Sequence, residues 1–196
     1  MPRPSLKDVR TTEILDAFMA CVARHGIDGS TLERIAEVAG VGRPLLRHYL
    51  GNRDEMVDKL MNHVVTKFEH MTDDLVSWLP MTGRWDVLMD WLFDRRIHSS
   101  ANAAVFQALI AASERYPDIR KPLTTFVHDF ERTLAVELAA EFPDATEEQC
   151  RTVAGGVLSI YFNVYAMMPL SPRKDWIARQ RQAADQLVAS LPRESA

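Results

Sequence analysis

Residues 30–49 read STLERIAEVAGVGRPLLRHY, and the fold of the chain turns on how this stretch is taken. Ser30 is followed three residues later by Glu33, the pattern of a capping box: a hydroxyl caps the helix and a carboxylate reaches back to the cap's own N–H. A short helix over residues 31–38 would turn Ile35 and Ala36 inward. Gly40 gives the backbone the freedom that a tight turn requires. Val41, Leu46 and Tyr49 would then pin a second short helix against the first. Apolar residues at 35, 39, 41, 46 and 49, a small one at 36 and a glycine at 40 form a set that unrelated helical hairpins rarely meet. The stretch reads as a helix-turn-helix, the unit that places its second helix in the major groove of duplex DNA.

The residues of that second helix fit the role. Pro44 suits a first turn, where its missing N–H costs nothing. Arg43 stands at the entrance, where a guanidinium can meet guanine O6 and N7 as a bidentate pair. Pro44 and Leu45 are suited to contact with a thymine methyl. Arg47 and His48 follow one turn on, and Tyr49 can offer its hydroxyl to a phosphate while its ring packs. Thr31 heads the first helix of the pair, where a hydroxyl and unpaired N–H groups favour a phosphate. Arg53, just beyond, is placed to clamp another. The competing reading is a solvated helix face, but exposed Pro44 and Leu45 beside two arginines serve solubility poorly.

Outward from this stretch the chain reads as helices throughout. Residues 6–25 form the first, with Ile14, Phe18, Cys21 and Val22 as its buried stripe and Gly26 at its end. Asn52 and Glu55 make a second capping box, opening a long helix to about Trp78. Pro80 and Gly83 interrupt the chain. Further helices are expected over 85–98, 102–115 and 118–141. Thr146 and Gln149 make a third capping box for a helix reaching Met168, and Pro169 and Pro172 separate it from a last helix over 174–191. The expectation is an all-α chain of about nine helices: a three-helix head in residues 1–52 carrying the helix-turn-helix, and a helical body in 53–196.

The text of residues 31–61, TLERIAEVAGVGRPLLRHYLGNRDEMVDKLM, resembles the TetR family of transcriptional regulators in its helix two, turn, recognition helix and start of helix four. The specific likeness covers roughly residues 8–65. The body is similar to the family in helix count and length only. Three positions depart from the family's habit: Gly42 stands where a small polar residue is usual, Leu50 where a Phe is, and Arg47 where an aromatic is. Arg47 puts a cation in place of a backbone-contacting ring, so the target sequence cannot be taken over from a relative.

The resemblance implies a body that dimerises and binds a small effector. For the effector, the residues expected are Trp91, His98, Asn102, Phe106, Ile110, Phe126, Phe130, Tyr161 and Tyr165, an aromatic interior punctuated by polar groups that would suit a small hydrophobic ligand. A filled core with peripheral polar residues is the alternative at each of these positions. For the dimer, the last two helices supply Val153, Val157, Ile160, Val164, Leu187 and Leu191, while Gly155 and Gly156 permit close helix approach. A twofold homodimer matches a palindromic operator with half-sites one helical turn, about 34–36 Å, apart. The function so implied is a ligand-responsive repressor of transcription, released by its effector. The rival is an orphan regulator with no small-molecule ligand, controlled by a protein partner.

Composition is compatible and excludes other classes. The 196 residues are 47% apolar and 26% charged, with a net charge of −4. Residues 1–53 carry a net +2 and the remainder −6, a basic head on an acidic body. Cys21 and Cys150 lie far apart in no metal-like spacing, and Cys21 falls on a core stripe. No nucleotide-binding glycine loop, zinc spacing or GxSxG is present, so no catalytic residue, metal or cofactor is expected. Residues 152–172 lack charge, but Gly155, Gly156, Asn163 and Pro169 make a poor lipid helix. They read as a buried or interface helix, and the chain as cytoplasmic with no membrane partner.

Overall fold

The computed structural model describes residues 5–94 and 100–192. Among them there are nine α-helices and no strand: α1 Leu6–Gly29, α2 Leu32–Ala39, α3 Arg43–Leu50, α4 Arg53–Trp78, α5 Arg84–Phe93, α6 Ser100–Ala112, α7 Arg120–Glu141, α8 Glu147–Met167 and α9 Lys174–Val188. Short 3-10 turns occupy Pro117–Ile119 and Met168–Leu170. The all-α architecture with an N-terminal helix-turn-helix is as the sequence predicts.

Local signals explain most helix ends. The boxes at Asn52 with Glu55 and at Thr146 with Gln149 both form. A further one, Ser5 with Asp8, opens α1. Gly26 breaks α1 with φ 67° and ψ 177°, and the chain resumes helical form to Gly29. The helix expected over 85–98 stops at Phe93, and residues 95–99, His98 among them, lie outside the described residues.

The capping box expected at Ser30 and Glu33 does not form. Ser30 is fully buried, and its hydroxyl donates to the Gly26 carbonyl at 2.7 Å. Thr31 caps α2 instead, its Oγ1 accepting from the Arg34 N–H at 3.4 Å. Two adjacent hydroxyl residues compete for one cap. The break at Gly26 leaves a carbonyl that Ser30 satisfies, which moves the cap one residue on.

The chain packs as two compact units, with α4 and α7 each contributing to both. This division by packing differs from the one expected at residues 52 and 53. The first unit runs to His70 and includes Ala101–Thr124. Ile14, Phe18, Ile35, Leu46, Leu50, Met56 and Leu60 are its fully buried centre, joined from α6 and the following turn by Val105, Leu109 and Ile119. Polar ties cross it. Arg115 meets Asp28 at 2.7 Å, and Asp16 receives His63 Nε2 at 2.9 Å and Lys67 Nζ at 3.1 Å.

The second unit comprises Met71–Ser100 and Thr125–Ala196. Leu88, Met89, Leu92, Leu134, Leu138, Ala154, Val157 and Ala184 form its interior. Arg84 holds the buried Glu137 with two bonds of 2.7 Å, a fork-on-carboxylate geometry that fixes the start of α5 against α7. Leu187 packs over Gly156, where an added Cβ would stand 2.8 Å from Leu187 Cδ1, so Gly156 does serve a close helix approach, between α8 and α9 of one chain.

Four of the six residues named for a dimer face face inward here. Val153, Val157, Val164 and Leu191 are buried within the protomer. Ile160 is half-buried and Leu187 is exposed. The reason is that Val153, Val157 and Val164 lie on the buried side of α8, while Glu148, Thr152, Ser159 and Asn163 line its exposed side, so the apolar stripe that suits a partner chain serves the protomer's own core. The segment Glu147–Leu170 is long and apolar enough to cross a membrane by length and composition, yet it supplies several core residues of the second unit.

Candidate nucleic-acid interface

The turn between α2 and α3 is closed by backbone bonds. Gly40 takes the left-handed conformation at φ 63° and ψ 33°. Its N–H donates to the Glu37 carbonyl at 3.2 Å, and that of Val41 to Ala36 at 3.0 Å. This pair of bonds satisfies the last carbonyls of α2 and aims the chain into α3. Gly42 caps α3 without a side-chain bond, and Pro44 lies in its first turn. Lys59 of α4 donates to the Tyr49 carbonyl at 3.0 Å and holds the far end of α3.

Leu46 and Leu50 are buried completely and fix which side of α3 faces inward. At 100° per residue, Pro44 and His48 then stand opposite them, with Arg47 and Leu45 on the flanks. Arg43, Pro44, Leu45, Arg47 and His48 are all exposed, and Tyr49 is half-buried with its ring edge-on to His48 at 5.3 Å. An exposed leucine, a proline, two arginines and a histidine thus share one short helix. Thr31 is also exposed, and its hydroxyl caps the first turn of α2.

Two of the basic residues are engaged within the head. Arg43 Nη1 lies 2.6 Å from Glu33 Oε1, with both side chains over three-fifths exposed. The Glu33 carboxyl is held below its usual range, by a backbone N–H bond first and by Arg43 second. Arg53, expected to clamp a phosphate, points its guanidinium at the carbonyls of Ser30 and Ile27, and it is half-buried. Sequence reasoning missed Glu33 as a partner of Arg43 because its spacing from Ser30 matched a cap.

The residues expected at an effector site divide between the two units. Asn102, Phe106 and Ile110 lie on α6 in the first, where Phe106 is buried 6.3 Å from the ring of Phe68. Ile110 is 51% exposed, so it does not belong to an interior. The run ANAAVFQALIAA is apolar almost all round, and periodicity left its outer face undetermined. In the second unit Phe126, Phe130, Tyr161 and Tyr165 come together: Phe126 to Phe130 at 6.2 Å, Phe130 to Tyr161 at 5.9 Å and Tyr161 to Tyr165 at 4.5 Å. Burial raises the pKa of the Tyr161 phenol far above its ordinary value. Trp91 is half-buried against the same unit's core. A separate cleft of about 660 Å³ is lined by Trp85, Asp86, Glu141, Phe142, Pro143, Arg181, Asp185 and Val188, none of them a residue expected for the effector. Among the described residues no group of three or more His, Cys, Asp or Glu side chains is arranged to hold a metal ion.

Residues 14–60 match the family model described as bacterial regulatory proteins, tetR family. The chain is 23% identical over 174 residues to the HTH-type transcriptional regulator BetI of Paraburkholderia phymatum, covering 87% of each chain. It is 28% identical over 163 residues to the regulator of the same name from Burkholderia lata, covering 82% of each. In fold it is similar to a TetR-family transcriptional regulator from Cytophaga hutchinsonii, with a TM-score of 0.80 at 9% identity, over 99% of this chain and 100% of that one.

Proposed function

We propose that this chain, which belongs to the tetR family of bacterial regulatory proteins, represses transcription by binding a palindromic operator as a homodimer and is released by a small hydrophobic effector. At the coarser level the chain is a DNA-binding transcriptional regulator and not an enzyme. It works in the cytoplasm, where duplex DNA is its partner.

One observation carries the reading: α3 exposes Arg43, Pro44, Leu45, Arg47 and His48 together, Arg43 at its first turn and Pro44 and His48 opposite the buried Leu46 and Leu50. Two cations bring affinity for phosphate and the capacity to read guanine. The apolar pair suits thymine methyls. Thr31 and Tyr49 would contact the sugar-phosphate backbone at either end of the motif. Two copies related by a twofold axis would set two such helices into successive major grooves. Hydroxyl-radical footprinting of the DNA upstream of the chain's own gene tests this. Two protected patches about one helical turn apart on one face support it, and a single patch or uniform protection opposes it.

The effector part of the proposal rests on the aromatic group Phe126, Phe130, Tyr161 and Tyr165, a set of rings suited to an apolar or aromatic ligand. Because α4 runs unbroken from the head, a ligand that binds two positions of this helix unequally would shift operator affinity by that difference. A thermal-shift screen of lipophilic compounds tests it. A compound that raises the melting temperature and weakens operator binding supports the effector. A screen without such a compound favours an orphan regulator governed by a protein partner.

A further inference from the structure

We propose that Glu33 is a positioning residue that sets Arg43 for base recognition, an inference that rests on the reading of α3 as the recognition helix. Glu33 is on α2 and Arg43 opens α3, ten residues on, and their side chains meet across the turn at 2.6 Å. The bond uses Nη1 alone. The opposite edge of the guanidinium, Nε with Nη2, keeps two parallel donors, which is the geometry that matches guanine O6 and N7. The pair therefore restrains the arginine without occupying its reading edge. An arginine already held loses less rotamer freedom when it meets a base, and it is less able to swing to a neighbouring base or phosphate.

The position of Glu33 strengthens the argument. It lies in the first turn of α2, two residues beyond Thr31, on the side of the head where phosphates are expected. A carboxylate there favours the helix dipole, but it repels the DNA backbone. The repulsion is useful if it suppresses binding to arbitrary sequence while its partner reads a base. Arg47 provides the contrast: it is exposed and has no ion-pair partner among the described residues. The two arginines of α3 thus differ in kind, one held in a fixed direction and one able to follow the backbone.

Selection from a pool of duplexes with a randomised core tests the idea, using the full-length wild type, Arg43→Ala, Glu33→Gln and the double variant. Glu33 is 63% exposed in its side chain, so glutamine fits without repacking, and circular dichroism checks the fold. Arg43→Ala should relax one base-pair position of the selected sequence. Glu33→Gln should relax the same position, with discrimination there falling on the order of fivefold while affinity for arbitrary duplex holds or rises. The double variant should relax it no further than Arg43→Ala. Undiminished discrimination in Glu33→Gln, or an equal loss on all sequences, would overturn the role of Glu33 and leave that of Arg43 intact. If Arg43→Ala relaxes no position, base reading by Arg43 fails first, and the role of Glu33 falls with it.

Discussion

Arg53, the first residue of α4, donates from Nη1 to the carbonyl oxygen of Ser30 at 2.9 Å and from Nη2 to that of Ile27. Its guanidinium also lies 5.5 Å from the ring centroid of Phe18. One side chain thus ties the start of α4 to the end of α1 and to the residue before the α2 cap. The sequence points to a phosphate clamp, and the two roles separate by salt dependence. Arg53→Ala should lower the melting temperature and weaken binding to every duplex alike. The slope of log affinity against log salt should stay unchanged. A slope smaller by about one would instead assign Arg53 a phosphate.

Gly51 ends α3 at φ 86°, and a Cβ there would stand 1.9 Å from Glu55 Oε2, the atom that accepts from the Asn52 N–H. Gly51→Ala would combine a strained backbone with a displaced capping box. We expect a loss of about 1–3 kcal/mol in unfolding free energy, measured by chemical denaturation. By contrast Gly42 has φ −74°, and an added Cβ would meet only Pro44 Cδ at an ordinary 3.6 Å. Gly42→Ser should therefore stabilise the head by a few tenths of a kcal/mol, by supplying the hydroxyl cap that α3 lacks.

Burial works to raise the carboxyl pKa of Asp16, but hydrogen bonds from His63 and Lys67 outweigh it and hold the pKa below its ordinary value. A depressed pKa contributes stability that is present above the unfolded value, about 4, and is lost as pH falls through the folded one. The stability gap between wild type and Asp16→Asn should therefore be constant near neutrality and close in acid. Thermal melts from pH 7 down to about pH 3 measure it. A gap that widens in acid would show that Asp16 is stabilised by something other than these two partners.

Leu187 is exposed and covers Gly156, and Ile160 is half-buried nearby in sequence on α8. Of the residues named for a dimer face, these two remain available. For the proposed homodimer, Leu187→Arg should shift dimer to monomer in sedimentation velocity while far-UV circular dichroism is unchanged. A dimer that survives this change would place the twofold contact on another surface.

The legible part of the sequence was local. Asn52 with Glu55, Thr146 with Gln149 and Gly40 each announce a helix end through chemistry contained within a few residues, and each does what that chemistry requires, whereas Gly26 breaks α1 without ending it. The illegible part was decided by packing. Ser30 and Thr31 are both good caps, and the choice between them rests on the burial of Ser30 against Gly26. Arg43 and Arg53 read alike as exposed cations, yet one meets a carboxylate and the other two carbonyls, contacts made across ten to twenty-six residues. An apolar stripe on α8 suits a partner chain and a core alike, and on α6 apolar residues run almost all round, so the sequence points to Val157 as a contact residue and to Ile110 as an interior one, and burial reverses both.

The most direct measurement is fluorescence anisotropy of the wild type and the Arg43→Ala/Arg47→Ala variant over a salt series. Each is titrated against the duplex selected by the wild type and against a scrambled duplex. If α3 reads DNA through these two side chains, the variant should lose on the order of 100-fold in affinity for the selected duplex. Its affinity for the scrambled duplex should fall far less, with a salt slope smaller by at most about two. A folded variant that keeps the wild-type ratio of selected to scrambled affinity would contradict the assignment of α3 as the reading helix.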